Sequence, residues 1–165
     1  ITKNALAIHV AENIEFEPSM ESMPLDVEEL FPKEVNHVQT EIVDSEKHGL
    51  YNKSQKDSDI EENFVKNKLE FDDNVEFFFK FPSKYKIDFP KIIGNYNPDW
   101  GIIRKEDSGL KVQLVRETKG TADIERLRFV HEINKVKVAQ KHFSSLDVDY
   151  DVIKGDEYRW YEKNS

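Results

Sequence analysis

The chain has 165 residues, enough for one domain with a real core and too few for two comfortable ones. With 38% hydrophobic and 35% charged residues the surface is heavily charged. No apolar run approaches the roughly 18 residues that span a bilayer, and the first residues lack a signal pattern, so membrane and secretion readings fall away. The absence of cysteine excludes a disulfide framework and a thiolate metal site, which suits a reducing, cytoplasmic compartment.

Residues 1–56 show weak periodicity and several breakers (Pro18, Pro24, Pro32, Gly49), with short candidate elements at Leu25 to Phe31 and Val38 to Val43. We read residues 1–50 as an appendage or the edge of a preceding domain, and residues 51–165 as the main domain. Ile1 in place of an initiator methionine adds the expectation of a fragment of a longer polypeptide.

The first firm helix opens at "DSDIEENFVKNKLEF". Ser58 or Asp57 can cap it, Glu61 stands three residues after Ser58, and Ile60, Phe64, Val65 and Leu69 recur at helical spacing. After the turn cluster Asp72-Asp73-Asn74, the aromatic run Val75 to Phe81 reads as a strand. A second strand is expected over about Tyr96 to Arg104 and a third over Leu110 to Glu117, joined through "KEDSG". Thr121 to about Phe143 reads as a long helix and Val148 to Ile153 as a last strand. Three strands with short links suggest an antiparallel meander, and the helix before the last strand allows a parallel crossover. The expected fold is therefore α/β (α+β), a mixed sheet in αβββαβ order flanked by helices.

Charge is unevenly spread over these elements. Residues 1–79 hold 7 Lys and Arg against 19 Asp and Glu, residues 80–145 hold 14 against 8, and residues 146–165 hold 3 against 6. The middle of an acidic chain is locally basic. A solvated surface accounts for this as well as a polyanionic partner does.

Within that middle, Pro98-Asp99 begins one strand and Glu117-Thr118-Lys119 ends the next. In a meander those two ends are neighbours, and side-chain alternation points Glu117 and Lys119 the same way. Two adjacent carboxylates repel unless a cation lies between them, and oxygen-only ligands suit Mg²⁺ above all. The main-chain carbonyl of Thr118 is a further candidate ligand. Such an ion lowers the pKa of water and neutralises charge on a scissile phosphate, while Lys119 orients the attacking water or stabilises the charge that develops. On the first helix Glu61 falls inside the apolar arc; it is either a capping-box residue or a third carboxylate of the site. On the long helix Arg128, His131, Lys135 and His142 share one side, either a solvated face or a stripe of phosphate contacts.

These residues resemble the PD-(D/E)xK nuclease motif, here Pro98-Asp99 and Glu117-Thr118-Lys119, and the latter is the only Asp/Glu-x-Lys in the chain. The wording of "SDIEENF", "FKFPSKYKI", "GNYNPDWGII", "LVRETKG" and "EINKVKVAQKHF" is similar to the C-terminal nuclease domain of the Res subunit of type III restriction enzymes, over about residues 50–153. The resemblance implies a restriction-endonuclease-like core that cleaves double-stranded DNA with Mg²⁺, for which Mn²⁺ substitutes. Asp99 and Glu117 match the metal acids, Lys119 the catalytic lysine and Glu61 the acid of the first helix. It also implies a helicase-like motor in the same full-length polypeptide, through which ATP would act, and a Mod methyltransferase subunit as partner. No phosphate-binding glycine loop occurs in this chain, so the motor is not within it. A repair or recombination nuclease of the same fold remains as an alternative, as does a catalytically inactive interaction module. A two-carboxylate glycosidase fits poorly, because Lys119 is expected to hold Glu117 ionised where a general acid must stay protonated.

Overall fold

The computed structural model describes residues 2–17, 26–35, 41–120, 130–153 and 160. Its elements in chain order are α1 (Lys3–Asn13), α2 (Val27–Leu30), β1 (Ile42–Asp44), β2 (Lys53–Gln55), α3 (Asp59–Phe64), β3 (Val75–Lys80), β4 (Trp100–Lys105), β5 (Lys111–Thr118), α4 (Val130–Ser145) and β6 (Asp149–Ile153). The stretch α3 to β6 follows the expected αβββαβ order. The helix expected from Thr121 is described only as α4, residues 121–129 lying outside the described residues.

Strand β3 is rich in aromatics because it packs on both faces. Phe78 points into one core with no exposure, while the half-buried Phe77 and Phe79 line the opposite face. It pairs antiparallel with β4, which pairs antiparallel with β5, which pairs parallel with β6. The four-stranded sheet thus has the order β3-β4-β5-β6, with α4 making the crossover that parallel pairing requires. The turn from β4 to β5 closes through hydrogen bonds from Glu106 N to Leu110 O (2.8 Å) and from Gly109 N to Glu106 O (2.8 Å). Gly109 supplies the positive φ of 85° that this turn needs.

Two cores sandwich the sheet. Phe64, Val65, Leu69, Val75, Phe78, Trp100, Ile102 and Leu114 join α3 to one face. Ala7, Ala11, Phe89, Tyr96, Val115, Val138, Ala139 and Phe143 join α1 and α4 to the other. β1 and β2 form a separate antiparallel ribbon, tied to β3 where Leu50 N donates to Phe78 O (2.8 Å) and Phe78 N to His48 O (3.0 Å).

Several boundaries differ from expectation. β4 begins at Trp100 rather than Tyr96, because Pro98 has no N–H for a ladder; Tyr96 instead forms an isolated bridge with Ile87. The strand expected over Val38 to Val43 is described from Ile42, residues 36–40 lying outside the described residues. The eleven-residue α1 was not expected at all. Its apolar residues are scattered around the helix, with Leu6 and Ile8 exposed and only Ala7 and Ala11 buried, so no stripe announces it. The helix begun by α3 widens into a π-helical turn over Val65–Leu69, which no sequence period predicts.

Candidate active site

The site forms where β4 begins and β5 ends. β4 and β5 are paired with Trp100 opposite Arg116, a register that sets the preceding Asp99 beside the end of β5. The Asp99 Oδ2 accepts from the main-chain N–H of Thr118 (2.8 Å) and from its hydroxyl (2.7 Å), so its position is fixed by the neighbouring strand. On the other side, Phe81 N donates to the Asp99 carbonyl (2.8 Å) and joins β3 to the same point.

Glu117 is buried at 4% exposure and held by two partners. Lys119 Nζ lies 3.0 Å from its Oε1, and the Tyr96 hydroxyl donates to its Oε2 (2.7 Å). Tyr150 lies 2.9 Å behind, hydroxyl to hydroxyl with Tyr96. Burial first, then the negative charge of Asp99, pushes the Glu117 carboxyl up to about 7, despite the opposing pull of Lys119 and Tyr96. Lys119 was expected to keep Glu117 ionised; desolvation outweighs it, because the carboxyl is almost wholly out of water while the ammonium is not. Burial alone would lower the pKa of the Lys119 ammonium, but the combined pull of Glu117, Asp99 and Glu132 raises it, so the group stays charged.

Glu61 is tied to the start of α3 and also lies near the end of β5. Ser58 caps α3, its hydroxyl accepting from Glu61 N (3.2 Å), while the Glu61 side chain reaches back to the N–H of Asp57 (2.7 Å) rather than to that of Ser58. Buried at 6% exposure, it also stands beside Thr118, with Oε1 at 3.5 Å from the hydroxyl that serves Asp99. Its Oε2 is taken by Lys80 Nζ at 2.7 Å, which simultaneously donates to Asp57 Oδ2 at 2.6 Å. Among the described residues no three Asp, Glu or His side chains gather into one ligand set.

The basic stripe divides. Arg128 lies outside the described residues. Lys135 is half-buried over Gly94, and His131 is exposed. His142 is half-buried and packs edge-on against Phe16, Phe89 and Phe143, and burial lowers its pKa. Three members of the site escaped sequence reasoning. Tyr96 and Tyr150 carry no local signal. Lys80 was within reach, since the last residue of a strand that pairs with β4 falls beside Trp100 and hence next to Asp99.

A family model described as an endonuclease domain matches residues 47–156, two thirds of the chain. This chain belongs to that endonuclease-domain family. Among curated proteins and among solved structures, nothing matches. The matched span contains α3, the whole four-stranded sheet and all of Asp57, Glu61, Lys80, Asp99, Glu117 and Lys119, so the endonuclease domain carries the acidic cluster within its restriction-endonuclease-like fold. Phosphodiester hydrolysis needs charge neutralisation and an oriented water, and this donor set is composed of carboxylates and ammonium groups suited to both. The oxygen donors of Asp99, Glu117 and the Thr118 main chain are of the kind a hard divalent cation takes, and its charge would offset the burial that raises Glu117.

Proposed function

We propose that this nuclease domain is the Mg²⁺-dependent DNA-cleaving module of a type III restriction-modification enzyme. The observation that carries the reading is the convergence of Asp99, Glu117 and Lys119 at the adjoining ends of β4 and β5, with Thr118 hydrogen-bonded to Asp99 between them. Asp99, Glu117 and the Thr118 carbonyl are the ligands assigned to the ion. When bound, the ion polarises the scissile phosphate and makes nearby water acidic. The protein's own groups do the rest. Tyr96 and Lys119 fix the two oxygens of Glu117 separately, so the carboxylate does not rotate as it ionises. Lys119, with its ammonium partly exposed, places positive charge where the phosphate's negative charge grows. The Thr118 main chain and hydroxyl hold Asp99 Oδ2, which aims the acid without spending both of its oxygens.

The resemblance to Res subunits supports a motor in the same full-length polypeptide and a Mod subunit that recruits the domain to double-stranded DNA. Recruitment by neighbours also suits an acidic chain of net charge −9, whose own attraction for phosphates is weak. Plasmid relaxation tests the reading: supercoiled DNA incubated with the chain and Mg²⁺ or Mn²⁺ is expected to be nicked, and Asp99→Ala and Lys119→Ala each to lose at least about a hundredfold in rate. Nicking by Asp99→Ala at the wild-type rate would contradict the assignment.

A further inference from the structure

We propose that Lys80 is a built-in second cation of this site, a positioning residue whose ammonium leaves the centre in need of a single divalent ion. The inference rests on the metal-dependent reading above and deepens it. Lys80 Nζ lies 2.6 Å from Asp57 Oδ2 and 2.7 Å from Glu61 Oε2, a bridging position between two carboxylates. Its side chain is only 16% exposed and that of Glu61 only 8%, so the pair is shielded from the water that weakens surface ion pairs.

The ammonium is placed by the sheet. Lys80 is the last residue of β3, paired with Trp100, and its Nζ stands 5.6 Å from the centroid of the Trp100 ring. The next residue, Phe81, donates its N–H to the carbonyl of Asp99, so the main chain beneath Lys80 and the main chain of the metal acid move as one unit. Lys80 therefore stands beside the Asp99 main chain and binds one oxygen of Glu61, whose other oxygen lies 3.5 Å from the Thr118 hydroxyl.

Lys80 Nζ already occupies the place between the Asp57 and Glu61 carboxylates that a second ion would need. A second ion would have to displace Lys80 from two short hydrogen bonds, leaving a mostly buried ammonium without partners. If Lys80 is instead only a structural ion pair, replacing it would alter stability and leave metal binding unchanged.

Mn²⁺ titration followed by electron paramagnetic resonance, which reads the free ion, separates these cases at about pH 8. Wild-type protein is expected to bind one Mn²⁺ per chain, Lys80→Arg one, and Lys80→Gln two. Two ions on the wild type would overturn the inference while leaving the metal-dependent reading intact, and that count depends on no variant's folding. One ion on a Lys80→Gln protein that melts cooperatively would also overturn it. No ion on the wild type would overturn the metal-dependent reading and this inference with it.

Discussion

Glu117 lies 3.0 Å from Lys119 and beside Asp99, and at 4% exposure it has almost no water to soften either interaction. A carboxyl whose folded pKa is about 7 against an ordinary 4.5 takes up a proton on folding. Its contribution to stability is therefore complete below about pH 4.5 and is lost as the pH rises through about 7. The gap between those two values corresponds to about 3 kcal/mol. Urea denaturation of metal-free protein across about pH 5 to 8 is expected to show Glu117→Gln gaining on the wild type by up to this amount as the pH rises. A difference independent of pH would contradict the burial argument. Under the metal-dependent reading proposed above, a divalent ion would offset this cost of burial.

Elements set what the residues meet. Gly101 of β4 is paired with Phe79 of β3, and the Phe79 ring lies directly over it, so a Cβ at this position would collide with the ring. Phe31, Phe77 and Phe81 surround that ring and leave it little room to swing. Gly101→Ala is expected to cost about 1–3 kcal/mol, the usual penalty of overpacking, read as a lower midpoint in chemical denaturation; an unchanged midpoint would mean that the ring moves freely. This element also shows what was legible in the sequence. The aromatic run from Val75 and the turn residues before it and after Arg104 marked β3, β4 and β5, and their order put Asp99 opposite the end of β5. The start of β4 was legible only to within a few residues, because Pro98 interrupts pairing without changing hydrophobic pattern. The π turn after Phe64 and the Tyr96–Tyr150 pair depend on tertiary packing, and no local propensity encodes them. Arg116 was hidden for the same reason: it reads as a strand-end charge, yet it is buried at 1% exposure and donates to the carbonyls of Val115, Asp149 and Trp160.

At the scale of the whole molecule, the sheet is packed on both faces, and the acidic cluster sits at its end, where α3, β3, β4 and β5 meet. Such a place combines a rigid scaffold with access, since the strands position the main chain while the side chains of Asp99 and Lys119 keep partial exposure. α1 adds Ala7 and Ala11 to the core beneath α4, so the N-terminal helix supports the face that carries Tyr96. No helix among the described residues is long and apolar enough to cross a membrane. The central claim is that one catalytic divalent ion binds where β4 begins and β5 ends. Replacing it with Fe²⁺ and adding peroxide cleaves a polypeptide beside the bound ion, and the fragments locate it. We predict cuts near Asp99 and near Glu117 to Thr118, suppressed by excess Mg²⁺ and absent from Asp99→Ala; cuts confined to other parts of the chain, or cuts that Asp99→Ala retains, would contradict the account.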